Sequence, residues 1–166
     1  MARTHLRETL STLDPLQTWN WDIIIPVIPG VADSREITYK AISSQIPDSS
    51  VEQVGLEAHG VKLNFAGRRV WTGRWEATLF ESRNAGTRAA LFQWLEYMRS
   101  WENNSGTYKA EYSVTGVLNL YDDRPIVVRE IKLYGLFPLE VGSVTLDQTS
   151  GIVQYNVSFS YDWTNG

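Results

Sequence analysis

The side chains able to do chemistry are few and poorly spaced for it. Two histidines occur, His5 in a polar N-terminal stretch and His59 beside Gly60 in a predicted hairpin turn. Neither has a second ligand-type residue at metal spacing, whereas a structural or catalytic metal site needs three or four donors. A Ser-His-Asp arrangement would have to use one of these two imidazoles, and no Gly-x-Ser-x-Gly elbow presents a serine. Cysteine is absent, which removes thiol nucleophiles, disulfides and Cys-based zinc sites. Paired carboxylates with stacking tryptophans would suit glycoside hydrolysis, and Glu57, Glu76, Asp122 and Asp123 are the candidates. Asp122-Asp123 falls in a predicted turn, and Glu76 alternates with threonines on the polar side of a strand, so no pair converges. Neither a Gly-x-Gly-x-x-Gly loop nor a Walker pattern is present to cradle phosphate. Arg68, Arg69 and Arg74 with Trp71 and Trp75 resemble a single-strand nucleic-acid platform, but alternation puts the tryptophans on the face opposite the arginines. A solvated or subunit-facing arginine pair is the better reading. No catalytic, cofactor or metal site is therefore assigned, and the chain is expected not to be an enzyme.

The elements that would position these residues are mostly strands. Residues 1–18 form a polar arm with scattered leucines, and Asp14-Pro15 stops any helix there. From Trp19 the chain alternates strictly, with Trp19, Trp21, Ile23, Ile25 and Val27 on one face. A second strand is expected within Arg35 to Ile46, with Ile37 and Tyr39 on a shared face, closed by Pro47-Asp48-Ser49-Ser50. Val51 to Glu57 and Val61 to Phe65 read as a hairpin turning near Gly60. Trp71, Gly73, Trp75, Ala77 and Leu79 then face one way and Thr72, Arg74, Glu76 and Thr78 the other, with Gly73 marking close approach of another backbone. One helix is expected from Ala85 to Trp101, N-capped by Asn84, with Leu91, Trp94, Leu95, Met98 and Trp101 as its apolar stripe. Phe92 and Tyr97 fall off that stripe. Strands Lys109 to Tyr121 and Ile126 to Phe137 follow, joined by the turn Asp122-Asp123-Arg124-Pro125. The last strand sets Val153, Tyr155, Val157, Phe159, Tyr161 and Trp163 against Gln154, Asn156, Ser158, Ser160 and Asp162, so its apolar face must be buried. Seven or eight strands and one helix predict a mainly β fold, an antiparallel sandwich or barrel with the helix packed outside.

At 166 residues the chain fits one domain able to bury its own core. Its longest apolar stretch, Ile23 to Ile28, is broken by Pro26, which leaves no transmembrane helix. Met1 to Leu16 lacks the apolar centre of a signal peptide. A soluble product, made in the cytoplasm and not inserted in membrane, is expected. The net charge of −4 argues against a basic nucleic-acid footprint.

Three stretches together resemble the tail tube proteins of contractile-tailed bacteriophages, which are related in fold to the tubes of type VI secretion and other contractile injection systems. The first is Asp14-Pro15-Leu16 leading into Trp19-Asn20-Trp21-Asp22-Ile23-Ile24-Ile25. The second runs from Phe65-Ala66-Gly67-Arg68-Arg69 through Trp71 to Phe80 and on to Phe92-Gln93-Trp94-Leu95. The third, and most specific, is Arg129-Glu130-Ile131-Lys132-Leu133-Tyr134-Gly135-Leu136-Phe137-Pro138, then Val141-Gly142-Ser143-Val144-Thr145-Leu146-Asp147, then the alternating last strand. Pro138 and Gly142 are expected to shape the link between two long strands.

The resemblance implies a structural virion protein whose subunits close into hexameric rings through strands paired across subunit edges. Those rings stack into the hollow inner tube of a contractile tail, a conduit for DNA or effectors. Implied partners are further copies of itself, a tail sheath protein, and baseplate initiator and tail terminator proteins, with DNA passing through the lumen unbound. Six copies would carry six times −4, or −24, and acidic or uncharged lumen side chains would keep DNA from adhering. Inter-ring contacts are expected at the protruding hairpin of residues 48–69, through Glu52, Glu57, Lys62, Arg68 and Arg69, and at the arm. The helix is expected to face outward and meet the sheath through Arg88, Glu96 and Arg99. Two alternatives stay open: a baseplate tube-initiator of the same fold, and a Trp-rich carbohydrate-binding β-sandwich. Most tryptophans lie on apolar strand faces or on the helix stripe, which favours core over a sugar platform.

Overall fold

A computed structural model of the chain describes residues 16–30, 40–146, 148 and 151–166. His5, Ile37, Tyr39 and most of the expected arm lie outside the described residues. Those described form β1 (Trp21–Ile24), β2 (Ala41–Ser44), β3 (Ser50–Ala58), β4 (Val61–Val70), β5 (Arg74–Phe80), α1 (Gly86–Met98), α2 (Lys109–Tyr112), β6 (Val114–Tyr121), β7 (Val127–Val141), β8 (Gln154–Ser160) and β9 (Trp163–Thr164). The fold is mainly β, and every strand pair is antiparallel.

The main sheet runs β1-β6-β7-β8-β5-β2, with β9 also on β7, while β3 and β4 pair only with each other. It is an open path rather than a closed barrel. β7 joins its two halves. The strand pairs with β6 along its first part and with β8 from Phe137 onward. Between these parts Gly135 takes a φ of +69°, and a Cβ there would run into the Asp162 carboxylate. A glycine is required at this bend.

One core fills the space between the two halves. Ile23, Leu118, Leu120, Ile131 and Leu133 come from one half, Trp75, Leu79, Tyr155, Val157 and Phe159 from the other, and Leu91 and Trp94 from α1. Trp75 and Phe159 rings pack at 5.4 Å, and the Trp94 indole donates to the Tyr112 carbonyl at 2.9 Å, fixing α1 to α2. Gly73 behaves as expected: its φ is +67°, and its carbonyl accepts the Tyr161 N–H at 3.1 Å.

Several boundaries differ from expectation. The first strand is four residues long, and burial shifts from Ile25 to Ile28 because Pro26 breaks the period, leaving Val27 and Trp19 exposed. Lys109–Tyr112 is a helical turn, not strand. Pro138 lies inside β7 and not in a link; the register shifts beside it, where proline's missing N–H is tolerated. The last strand stops at Ser160, so Val153 and Trp163 at its expected ends are exposed. The hairpin strands are longer than expected, reaching Ala58 and Val70.

The helix begins at Gly86 after Ala85 in a left-handed conformation, and Asn84 is not its N-cap. Glu81 performs that role from five residues upstream. Its carboxylate accepts the N–H groups of Thr87 at 3.2 Å and Arg88 at 2.9 Å, placing negative charge at the positive end of the helix. Trp101 lies beyond the helix and is 80% exposed, so it is not part of the stripe.

Candidate assembly surfaces

The hairpin is built from register. Val54 faces Phe65, Leu56 faces Leu63 and Ala58 faces Val61, whereas Gly55 faces Asn64 and Glu57 faces Lys62. Because directly opposed residues share a face, the first set makes one apolar side and the second one polar side. The turn is tight, with His59 and Gly60 both at positive φ, the backbone that joins two strands through two residues. Gly67 allows close approach at the base, since a Cβ there would meet the Glu52 carbonyl at 2.9 Å. Val54, Leu56, Val61, Leu63 and Phe65 are 46% to 57% exposed. No described element covers them, and a lone two-stranded ribbon is marginal in water.

The five hairpin candidates divide by position. Arg68 Nε donates to Glu52 Oε2 at 2.8 Å near the base, a solvent-exposed pair. Glu57 and Lys62 oppose each other near the tip. Arg69 turns back on the body: it donates to Ser49 Oγ at 3.0 Å and lies 5.7 Å over the Trp71 ring. The expected separation of arginines from tryptophans thus fails for Arg69 and Trp71. It holds for Arg74, which reaches Glu76 and Ser158 while Trp75 is buried. The Trp71 indole N–H is buried, with no acceptor among the described residues.

Arg88 and Glu96 lie on α1, whereas Arg99, expected on the helix, falls just past its end in extended backbone, and each of the three is engaged within the chain. Arg88 donates to the Gly142 carbonyl at 2.6 Å and sits over both the Phe92 and Tyr155 rings. Glu96 accepts the Trp101 N–H at 3.1 Å, and Arg99 donates to the Asn104 carbonyl at 3.0 Å. The open residues on this side are Phe92, Tyr97 and Trp101. Phe92 and Tyr97 were legible as residues off the stripe; Trp101 was not.

The carboxylates weighed for glycoside chemistry lie on separate elements: Glu57 at the hairpin tip, Glu76 on β5, and Asp122 and Asp123 in the β6–β7 turn. Of the tryptophans, Trp75 and Trp94 are core, Trp21 and Trp71 pack against it, and Trp19, Trp101 and Trp163 are exposed. Trp163 stacks on Tyr134 at 3.8 Å. The expectation that most tryptophans are core therefore holds for four of the seven.

Two buried polar clusters had no clear sequence signal. Lys40 is buried and donates to Ser82 Oγ at 2.8 Å and Thr87 Oγ1 at 2.6 Å, tying the start of β2 to the start of α1. Asp22 accepts from Asn119 at 3.0 Å and from the Tyr121 hydroxyl at 2.8 Å, clamping β1 to β6. The Tyr121 hydroxyl is raised above its ordinary range by that hydrogen bond, then by burial and the Asp22 charge. Burial foremost, with Glu81 beside it, raises Tyr155 further. These groups fix geometry between neighbouring elements.

Comparison with known proteins fits this picture of surfaces rather than sites. The tail tube protein gp19 of Enterobacteria phage T4 is 26% identical over 133 residues, covering 78% of this chain and 81% of the phage protein. This chain resembles the phage tail tube proteins. A chain of the sheath/tube terminator of an extracellular contractile injection system, PVC, superposes with a TM-score of 0.64 at 14% identity, covering 90% of this chain and 94% of that one. A chain of the PVC sheath-tube complex in its extended state gives 0.61 at 13% identity, covering 95% and 94%. The two structures share the fold of this chain. No family model matches the chain.

Proposed function

We propose that the chain is the repeating structural subunit of the inner tube of a contractile tail, closing into hexameric rings that stack into a hollow conduit. The observation that carries this reading is the hairpin. A ribbon with one apolar face half exposed, and no cover among the described residues, suits covering by another molecule. The open sheet ends at β1 and β2 support ring closure, because identical edges meeting around a ring remove the hazard each edge carries alone. Inter-ring contact falls to the hairpin of residues 48–69, its apolar face giving area and Glu52, Glu57, Lys62, Arg68 and Arg69 giving register. Head-to-tail stacking has no built-in end, so an initiator at the baseplate and a terminator at the far end set the length. The sheath meets the outward side of α1, where Phe92 and Tyr97 offer area beside Arg88, Glu96 and Arg99. The net charge of −4 per copy lets DNA pass a lumen that does not hold it. The protein performs no catalysis, is made in the bacterial cytoplasm and resides in the virion tail. Likeness to a tail tube protein in sequence favours the main tube over the initiator.

Negative-stain electron microscopy of the purified protein at rising concentration tests this. Hollow rings or tubes with sixfold end views are expected. Closed dimers, or filaments without a lumen, would contradict it.

A further inference from the structure

The sandwich has two outer faces of unlike chemistry. One belongs to β2, β5, β8 and the end of β7. Trp75, Ala77 and Leu79 of β5 and Tyr155, Val157 and Phe159 of β8 point into the core, so alternation sends the residues between them outward. There Arg74 stands opposite Ser160, Glu76 opposite Ser158 and Thr78 opposite Asn156, with Ser43 beyond Thr78 and Glu140 beyond Ser158. Each of these side chains ends in a hydroxyl, an amide or a charge. The exposed apolar residues Ile42 and Leu139 fall in bulges on the two marginal strands. Arg74 is the one cation in this set, and carboxylates flank it. Its Nε lies 3.1 Å from Glu76, and its Nη2 lies 3.9 Å from Glu140 and donates to Ser158 Oγ at 2.9 Å. One arginine and two glutamates leave this face at −1 per copy.

The opposite face, on β1, β6 and the first part of β7, mixes charge with apolar surface. Ile24, Val117 and Lys132 form one row across it, and Asp22, Asn119 and Glu130 the next. Val127 stands beside Tyr121, and Trp163 is stacked on Tyr134. Ile24, Val127 and Trp163 are 36% to 45% exposed.

We infer that the β2–β5–β8 face is the wall of the lumen, an inference that rests on the tube reading above. A wall along which a polyanion slides must hold water, present no aromatic or apolar patch to grip bases, and leave no free cation to grip phosphate. The centre of the first face meets all three conditions, because its hydroxyls and amides are hydrated and its single arginine is held between carboxylates. The second face departs from them at Ile24, Val127 and the Tyr134–Trp163 stack, an area that suits contact with protein. Six copies would put six times −1, or −6, on each ring of wall, which repels phosphate without trapping it.

Accessibility in assembled tubes tests the assignment, and the chain's lack of cysteine removes background. Asn156→Cys and Gln154→Cys, both exposed on β8, are assembled, treated with a small biotin maleimide, and then probed with an antibody to biotin. The expected result is full uptake of the small reagent with no antibody on the tube walls until the tubes are dissolved. Antibody along the walls would put this face outside. No uptake, or failure of both variants to assemble where the unsubstituted protein does, would put it in a contact between subunits. Either result overturns the assignment and leaves the tube reading standing. If the unsubstituted protein forms closed dimers or filaments without a lumen, the tube reading falls and this inference with it. A second variant reads the charge. Glu76→Gln with Glu140→Gln frees Arg74 and changes the face from −1 to +1 per copy, at little cost to folding because both ion pairs are exposed. Tubes assembled with a fluorescent DNA oligonucleotide and pelleted at low salt should retain about tenfold more of it than unsubstituted tubes, and lose it as salt rises. Equal retention would overturn the assignment.

Discussion

The β3–β4 hairpin and the β5–β8 pair carry the same kind of pattern and meet opposite fates. Each alternates apolar with polar side chains. In β8, Tyr155, Val157 and Phe159 are at most 3% exposed, whereas Leu56, Leu63 and Phe65 of the hairpin are about half exposed. Alternation declares that a face needs cover, not which molecule supplies it. The core covers β5 and β8 within the chain, whereas no described element covers the apolar face of the hairpin; the proposed function gives that role to a neighbouring copy.

The largest expected effect lies on the covered side. Trp75→Ala removes a buried indole packed on Phe159, with its N–H donated to the Gln45 carbonyl at 2.8 Å, and should cost about 3–5 kcal/mol by urea unfolding. On the uncovered side Phe65→Ser should leave unfolding within about 0.5 kcal/mol while abolishing pelleting of assembled material. If both variants lost stability equally, the contrast between the regions would disappear. Gly135→Ala, at the β7 bend, should cost more than about 1 kcal/mol, since neither the positive φ nor the Asp162 contact accepts a Cβ. Arg68→Ala should cost at most about 1 kcal/mol, because its pair with Glu52 is exposed. Normal assembly of an Arg68→Ala, Arg69→Ala double variant would remove those arginines from the stacking contact.

An alkaline titration probes the covered region separately. Burial and Glu81 raise the Tyr155 hydroxyl above its unfolded value, which is about 10. The folded state therefore holds this proton longer, and the contribution is whole below about pH 10 and lost as pH rises past it. Tyr155→Phe should flatten that alkaline loss of stability; an unchanged slope would mean that other groups dominate.

Much of the fold was legible because period-2 patterning is strong where one face is dry. Trp75, Ala77, Leu79, Tyr155, Val157 and Phe159 could be placed directly. The misses have local causes. Pro26 shifted burial to Ile28, and α2 is a single turn too short to show a period. Glu81 acts as a cap from outside the usual spacing, so Asn84 drew attention instead. Pro138 marked a strand interior because β7 changes partner there, which no local pattern records. The hairpin was legible as a hairpin, and its polar residues drew the assignment. Its apolar face reads as ordinary strand, because sequence alone does not show that no described element folds back over it.

Hydrogen exchange of the hairpin amides, compared between unassembled and assembled protein, tests the central claim most directly. The account predicts that residues 50–70 exchange readily in the unassembled chain and become strongly protected in assembled tubes, while core strands β5 and β8 stay slow in both. Hairpin amides that remain fast in intact tubes would contradict it.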